Sequence, residues 1–296
     1  MLFLRLFKIR LAGIMMRKKG GAMPLNREVD AGLYDRKYFL TDNEGWREYE
    51  SGLDGNIHSK FKKALEIAGD LKGKNVLDAG CGRGELVYYC VKRGAKALGI
   101  DYSEAAIEIA NQTIKRLPAG MQRSARAEAG DVVRYDFKEK YDVIFMIEIV
   151  EHMYDWQLEE SFKKIKTILK DGGKLIITTP NYYYERYLCP MKRIINIPLN
   201  LIKLPARIVK GKYAKDGPLF GLKKVFRIWP DRGELNRKMH VNVSTPGKLK
   251  NMLDAFDVKI ICEDPSKNIL SLLIRRWCGR EIVAVARLKT ALYSPG

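Results

Sequence analysis

The chain has 296 residues, 46% of them hydrophobic and 30% charged, which suits one large or two modest domains and excludes a disordered tail protein or a collagen-like repeat. No run of about 20 apolar residues occurs, so a spanning helix is excluded. The net charge of +19 points to an anionic partner. It is concentrated: residues 1–20 hold six basic and no acidic groups, and residues 185–238 hold fourteen basic against four acidic. A near-neutral body therefore carries two basic additions.

The opening MLFLRLFKIRLAGIMMRKKG mixes charge with apolar residues, but Arg and Lys interrupt each apolar run and no small-residue cleavage site follows, which argues against a secretory signal. It reads instead as an amphipathic surface helix, or as leader ahead of a start at Met15, Met16 or Met23. Cys81, Cys90, Cys189, Cys262 and Cys278 are odd in number and include no Cys-x-x-Cys pair. Neither a disulfide framework nor a thiolate zinc site is indicated, and a reducing cytoplasm is expected.

From Asn56 to Asp70, Ile57, Phe61, Ala64, Leu65 and Ala68 recur at three- and four-residue spacing and predict an amphipathic helix. Short apolar runs and helix-length segments then alternate: strand 74–79, helix 84–93, strand 95–101, helix 103–117, strand 125–130, strand 141–147, helix 155–170 and strand 173–178. That rhythm predicts an α/β chain with a doubly wound, mostly parallel sheet covered on both faces. After Thr179-Pro180-Asn181 it breaks for roughly 60 residues, too long for an ordinary connection. Helix 245–255 and strands 257–263 and 281–288 complete the sheet, the last two as an antiparallel hairpin. The expected division is a basic extension and lead-in (1–54), a ligand-binding half (55–181), a basic amphipathic insertion or lid (182–239) and a C-terminal completion of the sheet (240–296).

Between the first strand and first helix the chain reads Val76-Leu77-Asp78-Ala79-Gly80-Cys81-Gly82-Arg83-Gly84-Glu85. Glycines at this turn let backbone approach a ligand at the carboxyl edge of the sheet. Their G-x-G-x-G spacing differs from the G-x-G-x-x-G that seats a pyrophosphate. Asp78, ahead of the turn, suits a ligand bearing an ammonium and a sulfonium. Asp101 ends the second strand at the separation from which a carboxylate accepts from ribose hydroxyls. Ser103 is placed to cap the next helix, and Asp131, in Gly130-Asp131-Val132, could accept from an adenine amine.

These residues resemble the class I S-adenosylmethionine-dependent methyltransferases over roughly residues 55–180 and 240–290. The resemblance implies a seven-stranded Rossmann-like sheet, with Asp78, Gly80, Gly82 and Gly84 along the methionine end of the cofactor. It further implies Asp101 at the ribose, Asp131 and Val132 framing the adenine, and Ile147 against the cofactor.

The fourth strand runs into Ile147-Glu148-Ile149-Val150-Glu151-His152. Two carboxylates and an imidazole there could hold Mg2+ or Mn2+ against a substrate hydroxyl, could act as a general base, or could simply cap the next helix. Glu-x-x-Glu-His is similar to motifs of two branches of the family, the ubiquinone-pathway O-methyltransferases and the small-RNA 2′-O-methyltransferases. Both use it with a divalent metal and a further histidine, for which His240 is the candidate. The metal set implied is Glu148, Glu151, His152 and His240, the same four residues that are candidates for catalysis. His240 followed by a Pro246-initiated helix is closer to the quinone branch, and the Phe-Glu-Trp pattern of the RNA branch is missing. His58 is read as a surface residue.

Residues 186–229 interleave Ile194, Ile195, Leu199, Leu201, Ile202 and Val209 with Lys192, Arg193, Lys203, Arg207, Lys210 and Lys212. This is the composition of a segment lying on an anionic membrane surface, as the insertion of the quinone branch does. A lid, or a nucleic-acid groove using Lys223, Lys224, Arg227, Phe226 and Trp229, are the competing readings. The tyrosines 182, 183, 184 and 187 either shape an apolar pocket or pack the lid. The expected function is methyl transfer from S-adenosylmethionine to a hydroxyl on an amphipathic, lipid-linked or small-molecule acceptor, in the cytoplasm or peripherally on the inner face of the membrane. RNA 2′-O-methylation and a silent, membrane-docking scaffold are the alternatives.

Overall fold

Strands buried on both faces read as nearly continuous apolar runs, and Val143-Ile144-Phe145-Met146-Ile147 is such a run. Its side chains alternate between two cores: Val143, Phe145 and Ile147 face one, Ile144 and Met146 the other. The computed structural model describes residues 27–55, 57–211, 217–228, 233–263 and 279–289. The N-terminal basic segment with Met15, Met16 and Met23, together with Asn56, Lys212, Trp229 and Cys278, lies outside the described residues.

Strands β1 (Asn75–Ala79), β2 (Lys96–Asp101), β3 (Ala125–Ala129), β4 (Tyr141–Ile147) and β5 (Leu169–Pro180) are parallel. β6 (Phe256–Glu263) and β7 (Glu281–Leu288) complete the sheet, β7 running antiparallel to both β5 and β6. The order is β3-β2-β1-β4-β5-β7-β6. The seven strands and the antiparallel final pair match the sequence expectation. Because β1 pairs with both β2 and β4, the winding reverses beside it and opens a crevice at the carboxyl ends of β1, β2 and β4.

Helices α1 (Trp46–Ser51), α2 (Ser59–Ala68), α3 (Glu85–Lys92), α4 (Glu104–Ile114) and the one-turn α5 (Ala119–Gln122) precede β4. α6 (Asp155–Ile168) packs Leu158, Phe162 and Ile165 on the opposite face of the sheet. His58 is corrected from surface residue to helix cap: its Nδ1 accepts the Lys60 N–H that opens α2, and its side chain is only 11% exposed. The predicted helix 155–170 is shorter than expected, because Leu169 already pairs with Tyr141 and the chain bulges through Gly172 at φ +74° before regular pairing resumes.

After β5 come α7 (Cys189–Ile195), α8 (Ile197–Val209), α9 (Pro218–Phe226) and α10 (Gly233–Met239). Leu204 of α8 and Val225 of α9 form a small core of their own with Ile197 and Ile208. Several aliphatic side chains of α7–α9 face outward: Ile202 is 76% and Val209 87% exposed. α11 (Pro246–Met252) returns the chain to the main core through Leu249.

Gly84 illustrates how close this packing is. It sits at φ +76°, and a Cβ there would lie 2.9 Å from the Cα of Ala110 in α4. Gly84→Ala is expected to lower stability by about 2–5 kcal/mol, read from the denaturant midpoint, through left-handed strain plus overpacking.

Candidate functional site

The turn from β1 into α3 is folded back on β2, Gly80 and Cys81 both donating their N–H groups to the Ile100 carbonyl. Gly80, at φ +77°, has Ile149 Cγ2 only 2.3 Å from where a Cβ would be, so a side chain would close the crevice. That crevice is a cleft bordered by Asp78, Gly80, Gly82, Asp101, Asp131, Val132 and Ile147 among others. Seven of the eight expected cofactor residues thus meet around one cavity. Gly84 does not border it and instead serves the α3–α4 contact.

Asp101, the expected ribose ligand, also has partners within the fold. Its Oδ2 accepts the Gly82 N–H at 3.0 Å and its Oδ1 the Ser103 N–H at 2.9 Å, so one carboxylate organises the glycine turn and the start of α4 together. Ser103 caps α4 through the Ala106 N–H, as expected. A carboxylate has about four acceptor sites, which leaves capacity for ligand hydroxyls. Burial pushes Asp101 up to about 6. It pushes Asp78 up to about 8, with the Asp101 charge as the second cause. A cationic ligand would reverse both shifts, which is how a site built for an ammonium and a sulfonium should behave. Asp131 Oδ1 accepts the Val133 N–H and stays at the rim.

A strap ahead of the sheet, residues 27–53, was not foreseen as part of the site. It holds Val29, Tyr34, Tyr38 and Phe39 as cleft walls, all buried. Arg83 of the glycine turn fastens it: the guanidinium pairs with Glu85 through Nε, and donates from Nη1 to the Phe39 carbonyl and Asn43 Oδ1 and from Nη2 to the Glu44 carbonyl. The four-residue spacing of Tyr34 and Tyr38 was the available signal. Lys60 was also missed. It borders both this cleft and the chamber described below, and its charge acts on Asp78, Glu85, Glu148 and Glu151.

Beyond Ile147, Glu148 takes φ +55°, the one non-glycine positive φ among the described residues. Such strain persists where surroundings over-determine it: the Glu148 N–H donates to the Thr178 carbonyl, and Thr178 Oγ1 donates to Glu148 Oε1 at 3.1 Å. A 3-10 turn, Val150–His152, then carries Glu151 and His152 inward. Glu151 is 1% exposed and its Oε2 accepts from Thr179 Oγ1 at 2.9 Å. The His152 Nδ1 lies 2.8 Å from the Tyr34 hydroxyl, and its Nε2 lies 3.9 Å from Glu151 Oε1. The His240 ring meets it edge-on at 4.8 Å and 88°. Asn242, another unforeseen residue, brings His240 there: its N–H donates to the Glu151 carbonyl and its Nδ2 to the Met153 carbonyl and Asp155 Oδ1.

Glu151, His152 and His240 therefore form a trio whose donor atoms all lie within 4.8 Å of one another. Glu148 stands apart from it, held by Thr178. Burial, then the neighbouring Glu148, raises Glu151 well above the usual carboxylate range, while burial lowers His152 to about 3. A buried carboxylate beside a neutral imidazole fits a cation electrostatically. Two imidazoles and one carboxylate suit Mn2+ better than Mg2+, which prefers oxygen alone.

Across Glu148 and Lys60 lies a second chamber, reached by His240, Tyr184, Arg193 and Glu281. Tyr184 thus faces a cavity, whereas Tyr182, Tyr183 and Tyr187 are exposed. Glu281, pushed up to about 7 by burial and then by Glu148, marks its floor.

Residues 49–263 match the family model described as "Methyltransferase domain". The chain is 33% identical over 127 residues to a ubiquinone biosynthesis O-methyltransferase of Coxiella burnetii (strain Dugway 5J108-111), covering 43% of this chain and 52% of that protein. It is 35% identical over 146 residues to the protein of the same name from Acinetobacter baylyi, covering 44% and 58%. The chain thus spans about half the length of the curated relatives it matches. The fold is shared with the magnesium protoporphyrin IX methyltransferase of Synechocystis PCC 6803 with bound SAH, at TM-score 0.51 and 17% identity over 87% of this chain and 100% of that one. A family match across most of the chain agrees with the strand order and with the glycine turn between two acidic strand ends, and the chain belongs to the class I S-adenosylmethionine-dependent methyltransferases.

Proposed function

We propose that the protein transfers the methyl group of S-adenosylmethionine to a hydroxyl of an amphipathic, lipid-linked or small-molecule acceptor. The observation that carries this is the Glu151, His152 and His240 trio between the cofactor cleft and a second chamber. The relatives' name, an O-methyltransferase, supports oxygen as the methylated atom.

In this reading Asp78 meets the ligand's cationic methionine end and Asp101 its ribose, while the strap excludes water. The sulfonium is already activated, so the chain's task is to place the acceptor oxygen in line and to take one proton. The O–CH3 bond forms as the S–CH3 bond breaks, S-adenosylhomocysteine departs, and the hydroxyl proton passes to the Glu151–His152 pair. Glu151, His152 and His240 are the residues that would hold a divalent cation, which would supply Lewis acidity toward the hydroxyl.

The α7–α9 surface supports a membrane-surface location for this reading. Ile195, Ile202, Val209 and Leu219 are each at least 60% exposed beside Lys203, Arg207 and Lys210. Aliphatic burial at headgroup depth with flanking lysines favours an anionic membrane surface over a phosphate-tracking groove, which needs aromatic rings more than isoleucine. This reading calls for a peripheral attachment on the inner face of the membrane; no helix among the described residues is long and apolar enough to cross a membrane. The protein should float with anionic vesicles, and Ile202→Asp with Val209→Asp should lower that partitioning at least about tenfold. Vesicle binding that survives the double substitution would reject this surface.

The acceptor class is tested with methyl-labelled S-adenosylmethionine and cell extract, with Mn2+ or with chelator, followed by separation of lipid, RNA and small-molecule fractions. Metal-dependent label in lipid or small molecules supports the proposal. Label in RNA would transfer it to 2′-O-methylation, and cofactor binding without label anywhere would leave a silent scaffold.

A further inference from the structure

The second chamber is walled by segments far apart in the chain: the strap, the start of α2, the end of β5, α7 and the neighbouring ends of β6 and β7. Its lining is polar throughout. Among the described residues that border it, only Pro180 and Cys189 lack a strong hydrogen-bonding side chain. Five glutamates face four lysine or arginine side chains, and His58 and His240 add two imidazoles. So near a balance of charge suits neither a polyanion nor a polycation.

Two ion pairs use part of this set. Lys63 Nζ lies 2.8 Å from Glu263 Oε1, and Arg280 Nη2 lies 3.6 Å from Glu44 Oε1. They tie α2 and the strap to the β6–β7 end of the sheet. The floor is furnished differently. Glu281 stands opposite Glu263 in the β6–β7 ladder, and its half-buried carboxylate accepts no hydrogen bond from a described residue. Glu148 uses Oε1 for Thr178 Oγ1 and keeps Oε2 open. An ionised carboxylate takes about four hydrogen bonds, so these two glutamates hold acceptor positions for water or a ligand.

Whatever enters must present a hydroxyl to the trio and offset the desolvation of charged walls. An aromatic diol brings two hydroxyls on an apolar ring, and would strip water from most of these groups with nothing in exchange. A phosphate-rich strand would meet five glutamates. A neutral saccharide differs from both, because each of its hydroxyls is at once donor and acceptor. One ring can donate to Glu281 and Glu148, accept from lysine and arginine, and lay its C–H face against Tyr184. The helix that lends Arg193 to the chamber, α7, also opens the outward aliphatic surface through Ile195, so a lipid tail on such a head group has a face to follow.

We propose that the acceptor is a saccharide, free or lipid-linked, whose ring occupies the second chamber with Glu281 and Glu148 accepting from its hydroxyls. The inference rests on the reading of the protein as a methyltransferase acting on a hydroxyl. Transfer turns one ring hydroxyl into a methyl ether and releases S-adenosylhomocysteine and one proton, which the trio takes.

The test uses the full chain, methyl-labelled S-adenosylmethionine and cell extract with Mn2+. Products are digested with nuclease, partitioned between water and organic solvent, and hydrolysed in acid. Label recovered as an O-methyl monosaccharide supports the proposal, the aqueous phase indicating a free acceptor and the organic phase a lipid-linked one. Label in a methoxyarene, or label released by nuclease, overturns it while hydroxyl methylation stands. Label on nitrogen or a carboxylate, or none at all, overturns that underlying reading and the proposal with it. Glu281→Leu ties the product to the chamber. Its labelling should fall at least about tenfold in dilute extract and recover as the extract is concentrated, with S-adenosylhomocysteine affinity within about threefold of wild type. Glu281→Gln, which keeps one acceptor oxygen, should fall between. Labelling by Glu281→Leu equal to wild type at every dilution would remove the saccharide from this chamber. Should that variant fail to fold, Glu281→Gln and the wild-type product still decide.

Discussion

Glu151→Gln and His240→Ala should each leave S-adenosylhomocysteine affinity within about threefold of wild type while lowering methyl transfer about 1000-fold. Neither side chain borders the cofactor cleft: Glu151 is buried behind it, and His240 opens to the second chamber. The loss therefore falls on the step that takes the acceptor's proton. Gln is the informative replacement at Glu151, because its amide oxygen can still accept from Thr179 Oγ1, so that the fold survives while the ionisable group is gone. His152 differs from its neighbours in bordering the cofactor cleft, and His152→Ala should weaken both cofactor binding and turnover. Calorimetry with S-adenosylhomocysteine and transfer of labelled methyl into the accepting fraction measure the two quantities separately. Full turnover in Glu151→Gln would remove the trio from the chemistry.

Asp101→Ala should raise the S-adenosylhomocysteine dissociation constant about 100-fold or more. Charged hydrogen bonds contribute roughly 1.5–3 kcal/mol each, and on the proposed reading this substitution removes those to the ligand's ribose. It also removes two that order the cleft, from Gly82 and Ser103. Asp101→Asn, which keeps one acceptor oxygen, should fall between. The pH dependence follows from the raised carboxyls. Asp101 near 6 and Asp78 near 8 bind protons more tightly in the empty folded protein than in the unfolded chain. Their contribution to stability is thus fully present below the ordinary carboxylate range and is lost as pH rises through 6 and then 8. A ligand that needs both ionised reverses this. Its affinity should weaken as pH falls below about 8 and more steeply below about 6, and at pH 7 its binding should expel a proton, chiefly from Asp78. Titrations in buffers of unlike ionisation enthalpy read that release. Binding without proton release at pH 7 would mean that Asp78 does not face the ligand's cation.

Much of this molecule was legible in the sequence because the signals are local. The unbroken apolar run of Val143 through Ile147 and the three- and four-residue spacing of Phe61, Ala64, Leu65 and Ala68 are each a property of one element, and such patterns together determined the strand and helix order. The glycine turn was legible for a related reason: positive φ at Gly80, Gly82 and Gly84 excludes most other residues, so backbone geometry leaves its mark on composition. Position at successive strand ends then identified Asp78, Asp101 and Asp131 as neighbours in space, since a parallel sheet brings its carboxyl ends to one edge.

Only the tertiary structure decided what depends on distant segments meeting. It separated Glu148, held back by Thr178, from the Glu151, His152 and His240 trio, although the three residues of the first motif lie within five positions of one another. It made Asn242 the clasp that delivers His240, turned His58 from a surface residue into a helix cap, and gave Gly84 to helix packing rather than to the cleft. It also laid the strap across the cofactor cleft, fastened by Arg83 and carrying Tyr34 onto His152. Periodicity encodes which face of an element is buried but not against which partner, and the partner is chosen by the order in which the sheet is wound.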